Sequence, residues 1–294
     1  MHELLFTHKI STMTNYGLLA CLLLPAVAAV IAPWLGRRTA WAGAWLALAP
    51  ALLALWLGNQ VGGEVLSLEF PWAPRYGLAW SFELTPLRMF MGLIVVSVGV
   101  PVSVYASSYF DDGRKRGRML AFLYLFMTAM LGLVLSDNLV VVAIFWEATS
   151  VLSFLMIGFY NAKPEARRAA VDAFLVTGAG GLALVLAVVL LGQAGGSLAI
   201  SELSLAREVI QSDSRYPLIV ALVLIAVMTK SAQIPCHFWL PGAMTAPAPV
   251  SAFLHSATMV KAGIFLVLVL QPVLGDTALW QSSLMILGCV SMTL

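Results

Sequence analysis

Glu147 and Lys230 are the residues whose types and settings could move a proton. Each sits inside an apolar run long enough to cross a bilayer. Of the five lysines in the chain, only Lys230 and Lys261 fall within such runs, and His255 shares the run of Lys261. A charged residue at a helix centre costs about 2.5–3.5 kcal/mol even on insertion scales, so four ionisable groups there are expected to face protein, pair, or line water. Glu147 and Lys230 have opposite sign and comparable depth along their runs. Desolvation disfavours the charged form of an isolated lysine, and a nearby carboxylate restores it. Moving or protonating that carboxylate would therefore expel the lysine proton, which is the basis of a pumped or exchanged proton. The alternative is a static ion pair that fixes helix packing.

His255 follows Ser251 by four residues and precedes Thr258 by three, which places the three on one helix face. Imidazole can take a proton on one nitrogen and release it from the other. Hydroxyls beside it, with Thr149 near Glu147, suit a water-assisted proton path. A bond from His255 to a neighbouring helix is the competing fate. Lys261 lies six residues on, about 240° around the helix, and so on another face. It either extends the path or snorkels to a helix end.

These residues need a bilayer around them. Hydrophobic residues make up 61% of the 294 and charged residues 10%, far from the roughly one quarter charged of soluble domains. Runs of about 20 apolar residues, the length of a span, fall near 17–35, 41–58, 84–106, 119–135, 139–160, 170–192, 217–235 and 249–271. A ninth begins near 280 and stops at Leu294, so the chain is expected to be part of something longer. The first run lacks the small-residue cleavage site of a signal peptide and reads as a helix. The expected fold is an all-α polytopic bundle of eight to nine spans.

Pro235 falls within the seventh run, and Pro241, Pro247 and Pro249 follow. Proline removes a backbone donor, so a break at Pro235 in the seventh helix is predicted, either beside a hydrated cavity or as a simple kink. Asp137 is expected to cap the fifth helix, and Ser201 a short amphipathic helix within 196–215. The alternation from Val65 to Phe70 predicts a short hairpin in the loop 59–82. Lys163, Glu165, Arg167, Arg168 and Asp172 read as a solvated face. With the N-terminus outside, the cytoplasmic loops hold nine Lys/Arg (37, 38, 114, 115, 116, 118, 163, 167, 168) against four outside (9, 75, 207, 215), which favours that orientation.

Cys21, Cys236 and Cys289 are far apart in apolar stretches and read as small hydrophobes. Cys236-His237 lacks the second ligand pair of a metal site. No nucleotide-binding loop occurs, so neither metal nor organic cofactor is implied, and no nucleic-acid partner.

Ser-Asp-Asn-Leu at 136–139 leads to Phe-Trp-Glu at 145–147 and Ser-Phe-Leu-Met-Ile-Gly-Phe-Tyr at 153–160. Later come Thr-Lys-Ser-Ala-Gln-Ile-Pro at 229–235, Phe-Trp-Leu-Pro-Gly-Ala-Met at 238–244, Ala-Pro-Ala-Pro-Val-Ser at 246–251 and His-Ser-Ala-Thr-Met-Val-Lys-Ala-Gly at 255–263. This wording resembles the proton-conducting antiporter-like family shared by Mrp-type cation/proton antiporters and the large membrane subunits of complex I. Lys261 and its context resemble the A subunit of the Mrp type in particular. The resemblance implies that Glu147 is the family's fifth-helix glutamate, Lys230 its seventh-helix lysine on a broken helix, and His255 its eighth-helix histidine. It implies that the chain supplies N-terminal helices over 1–118, the first of two inverted five-helix repeats over 119–271, and the start of a further helix over 272–294. It also implies a component of a multisubunit Na⁺/H⁺ antiporter in a bacterial inner membrane. Such a component is an ion transporter subunit, not itself an enzyme, with other antiporter subunits as partners. The alternative is a proton-pumping subunit of a redox-driven complex of complex I or membrane-bound hydrogenase type.

Overall fold

A computed structural model describes residues 2–60, 66–73, 75 and 77–293, with side chains from Tyr16 onward. Its α-helices run from α1 to α13 in chain order. Seven segments among the described residues are long and apolar enough to cross a membrane, and two apolar helices are shorter. Their outward sides carry exposed large aliphatics such as Val30, Leu52 and Leu182, as a lipid-facing surface requires.

The chain divides into two compact units. The first comprises residues up to 70 and 80–136. It holds α1 (His2–Arg38), α2 (Ala42–Asn59), α3 (Pro86–Tyr109) and α4 (Gly113–Leu135). Helix α1 lies against α4, and α3 lies against both α2 and α4. Close approach of α1 to α4 depends on Gly36 and Gly117, because a Cβ on Gly36 would come within 2.5 Å of the Gly117 Cα. Arg116 fixes the adjoining turns by donating to the carbonyls of Ser107, Gly36, Thr39, Phe110 and Asp111. At the opposite end, buried Arg88 donates to the Val134 and Ser136 carbonyls, with Nε 3.5 Å from the Glu83 carboxylate. A cation there complements the negative end of α4.

The expected hairpin forms between β1 (Leu66–Ala73) and β2 (Leu78–Leu84), while Val65 lies outside the described residues. The hairpin's tip, 71–79, belongs to the second unit together with 137–294. That unit begins with α5 (Leu139–Ile157) and α6 (Pro164–Gly195), which pack on each other. Asn138, not Asp137, caps α5, with its side-chain oxygen accepting from Val140 N at 3.0 Å. Asp137 instead accepts from the Ser201 hydroxyl (2.6 Å) and backbone N–H (3.3 Å) at the start of α7 (Ile200–Leu205). Ser201 is therefore a donor inside that helix, and Ala199 holds the cap position. The expected amphipathic segment is two short helices, α7 and α8 (Arg207–Ser212). Helix α6 starts on Pro164 and stops at Gly196, whose φ of +73° suits glycine. The charged group at its start, Lys163 to Asp172, is exposed.

Helix α9 (Tyr216–Lys230) packs between α6 and α12 (Met259–Leu274). Its entry turn is held by Asp213, which accepts from the Arg215 backbone N–H and guanidinium at 2.7–3.0 Å. Arg215 draws the Asp213 carboxyl down to about 2. A carboxyl depressed in the folded state contributes stability above its ordinary range and loses it only as pH falls through about 2. The pH dependence of transport through the neutral range is therefore expected to be the same in Asp213→Asn as in the parent. An altered profile would make Asp213 a participant in transport instead of a brace for the turn.

Helix α9 ends at Lys230, five residues before Pro235. The predicted break in the seventh helix is present, and the helix ends at Lys230, just before Ser231, the residue whose carbonyl the Pro235 ring would meet in a continuous helix. Ala232 adopts a left-handed φ of 51°, and Gln233 N reaches back to the Met228 carbonyl. A 3₁₀ turn over Cys236–Phe238 and the short α10 (Trp239–Ala243) follow. The eighth run is also interrupted. Helix α11 (Ala248–Ser256) stops before Ala257, and α12 begins after Thr258. Thr258 thus does not share a continuous helix face with Ser251 and His255. Helix α13 (Ala278–Met292) is capped by Thr277.

Candidate functional site

Lys230 is fully buried at the last turn of α9. Its ammonium donates to the Trp146 carbonyl at 3.0 Å and to Ser150 Oγ at 2.8 Å, and lies 5.0 Å from the centre of the Trp146 ring. Such a charge tolerates burial because hydrogen bonds and an aromatic face replace its water. Ser150 itself donates to the Trp146 carbonyl at 3.3 Å, and Thr149 donates to the same carbonyl at 2.7 Å. Lys230 is thereby moored to the turn of α5 that carries Glu147.

No ion pair between Glu147 and Lys230 occurs among the described residues. Glu147 Oε1 is buried without a hydrogen-bond partner there. The carboxylate fits a notch in α6 at Gly181, where a Cβ would overlap Oε1. Gly180, the adjacent glycine, gives the same room to Thr229 of α9. An open cleft of about 400 Å³ between α5 and α6 reaches Glu147, lined by Val140, Ala143, Ile144, Val185, Val188 and Val189.

Past the break, Trp239 turns back on α9. Its indole N–H donates to the Thr229 carbonyl at 2.9 Å, and its ring lies 6.5 Å from that of His255. Both ring nitrogens of His255, and Ser251 Oγ, are buried without a partner among the described residues. Thr258, also buried, donates to the Phe253 carbonyl and is occupied with bridging the interruption. Ser231 Oγ donates to the Val260 carbonyl at 2.7 Å, tying the residue after Lys230 to the residue before Lys261. Lys261 itself is exposed on the first turn of α12.

The structure therefore groups Glu147, Thr149 and Lys230 across α5 and α9, with Ser251 and His255 on α11, and leaves Lys261 on the outer face. Sequence reasoning missed Ser150, Trp239 and the pair Gly180–Gly181. Ser150 could have been found, since it follows Glu147 by three residues and shares its face. Trp239 also yields an expectation. Trp239→Phe keeps the ring but leaves the buried Thr229 carbonyl without its donor, which costs about 1–3 kcal/mol. Thermal unfolding of the purified membrane protein should show a lowered midpoint, and an unchanged midpoint would assign that bond no weight.

The family described as NADH:quinone oxidoreductase/Mrp antiporter, transmembrane, matches residues 136–294. The A/B subunit of a probable K⁺/H⁺ antiporter of Rhizobium meliloti (strain 1021) is 41% identical over 218 residues, 74% of this chain and 22% of its own length. The A1 subunit of a Na⁺/H⁺ antiporter of Staphylococcus saprophyticus is 37% identical over 276 residues, 92% of this chain and 34% of its own. Among solved structures, the Mrp complex from Dietzia sp. DQ12-45-1b superposes with a TM-score of 0.85 at 36% identity, over 92% of this chain and 30% of that one. An archaeal membrane-bound sulfane sulfur reductase shares the fold at a TM-score of 0.71 and 24% identity, over 85% of this chain and 40% of that one. The chain thus spans about a fifth to a third of the curated relatives it matches. It is a multi-span membrane protein, and it belongs to the NADH:quinone oxidoreductase/Mrp antiporter transmembrane family.

Proposed function

We propose that this chain is the N-terminal part of the A subunit of a multisubunit monovalent cation/proton antiporter. Residues 119–271 form its first five-helix repeat. In this reading Lys230 is the proton carrier and Glu147 sets its charge. His255 relays through water and the Ser251 hydroxyl, and Lys261 passes the proton to the remainder of the subunit. The observation that carries the reading is the mooring of fully buried Lys230, at a helix break, to the α5 turn that bears Glu147. A lysine whose partners are one carbonyl and one hydroxyl keeps its ammonium within reach of a movable carboxylate without locking the two together. That is what a switch needs and a static pair lacks.

Resemblance to A-type subunits of Na⁺/H⁺ and K⁺/H⁺ antiporters supports a monovalent cation as the exchanged ion and other antiporter subunits as partners. The bacterial relatives support a bacterial inner membrane location, and the positive-inside count supports an orientation with the N-terminus outside. The test is dissipation of a pH gradient by added Na⁺ or K⁺ in everted vesicles holding the complete complex. Undiminished exchange in Lys230→Ala sinks the proton-path assignment. A complex that responds to neither cation sinks the antiporter reading.

A further inference from the structure

We infer that Gly180 and Gly181 of α6 are positioning residues for the proton path, because together they set the separation of the glutamate and the lysine. This rests on Lys230 being the proton carrier and Glu147 the group that sets its charge. The two glycines lie next to each other on α6, which packs against both α5 and α9. A Cβ on Gly181 would overlap Glu147 Oε1, and a Cβ on Gly180 would overlap Thr229 Oγ1. One glycine therefore seats the carboxylate, and its neighbour seats the residue that precedes Lys230.

The two seats differ in stiffness. Thr229 is β-branched, and its hydroxyl is bonded to the Ile225 and Ala226 carbonyls at 3.0 and 2.9 Å. It cannot swing aside, so a methyl on Gly180 displaces α9 itself. The Glu147 carboxylate ends a flexible side chain and has no hydrogen bond to hold Oε1. A methyl on Gly181 therefore moves the carboxylate and leaves the helices where they are. That makes Gly181 a handle on the acid alone. Gly178, on the same helix, has open space where a Cβ would go, so the requirement is local and not general to α6.

The experiment is a double-substitution cycle in the complete complex, read as cation-dependent proton exchange in everted vesicles. Gly181→Ala is expected to lower exchange about ten- to a hundredfold, as a displacement near 1 Å does at a reacting centre. Glu147→Asp withdraws the carboxylate by one methylene. In that background the same glycine substitution is expected to cost no more than about threefold, because the two sites are coupled. Thr229→Ala is the matching rescue for Gly180→Ala, and Gly178→Ala is expected to leave exchange unchanged. Equal losses from Gly181→Ala in both backgrounds overturn the inference. So does a failure of Gly181→Ala to assemble that Glu147→Asp does not restore.

A second readout is independent of transport. Labelling of Glu147 by dicyclohexylcarbodiimide, followed by mass spectrometry, is expected to change severalfold in Gly181→Ala and not in Gly178→Ala. Altered labelling together with undiminished exchange in Lys230→Ala would keep the seat and discard the proton-path reading. Unaltered labelling would discard the seat.

Discussion

Lys230→Met in the complete complex is expected to lose cation-dependent proton exchange by about a hundredfold or more, the usual scale for removing a proton-transfer group. Methionine is chosen because it preserves volume at a site with no exposed surface. The groups that hold the ammonium do not collapse when it goes. Ser150 and Thr149 still donate to the Trp146 carbonyl within α5. A buried ammonium that is not in an ion pair carries a desolvation cost, which an apolar group of similar size removes. Transport and thermal stability should therefore part company: exchange is lost while the melting temperature holds or rises. A static packing role gives the opposite pattern, with exchange retained. The two assays on one preparation, gradient dissipation and thermal unfolding, decide between them.

Arg88→Met should do the reverse. Its guanidinium is 3% exposed and serves the Val134 and Ser136 carbonyls and the Glu83 carboxylate together. Removing it strips carbonyls at the end of α4 and a partly buried carboxylate of a shared donor, at a cost of about 2–4 kcal/mol. The expected result is a lower melting temperature and less protein in the membrane, with normal exchange per assembled complex. An unchanged melting temperature would contradict the clamp between α3 and α4.

Much of the architecture was legible because bilayer thickness is a strict ruler. The spans read from hydropathy fall on α1 to α6, α9, the α11–α12 pair and α13, with ends close to those of the helices except at the start of α1, which begins at His2 and not near 17. What stayed hidden depends on partners distant in sequence. Pro235 signalled a break, but the helix yields at Lys230, where Gln233 and Trp239 take the carbonyls of Met228 and Thr229. The interruption at Ala257 and Thr258 carries neither proline nor glycine, and its visible sign is the Thr258 bond to Phe253. Asp137 and Asn138 are both good capping residues, and only the position of Ser201 decides which one is free to cap α5. Of the site, Glu147, Lys230 and His255 stood out because ionisable residues are rare in apolar runs. Gly180 and Gly181 could not, since their role exists only once α6 packs against both α5 and α9.

The break after Lys230 also bears on how well the membrane insulates. A helix opened in mid-bilayer exposes carbonyls that would order a file of water and short-circuit the proton gradient. In this chain the Val227, Met228 and Thr229 carbonyls each have a donor: Ser231 N, Gln233 N and the Trp239 indole. These three carbonyls are therefore satisfied within the protein and are not left to order water. Trp239 is thus a gasket as well as a strut, and cells carrying Trp239→Phe would spend respiratory energy on an idle leak, visible as faster oxygen consumption without added cation.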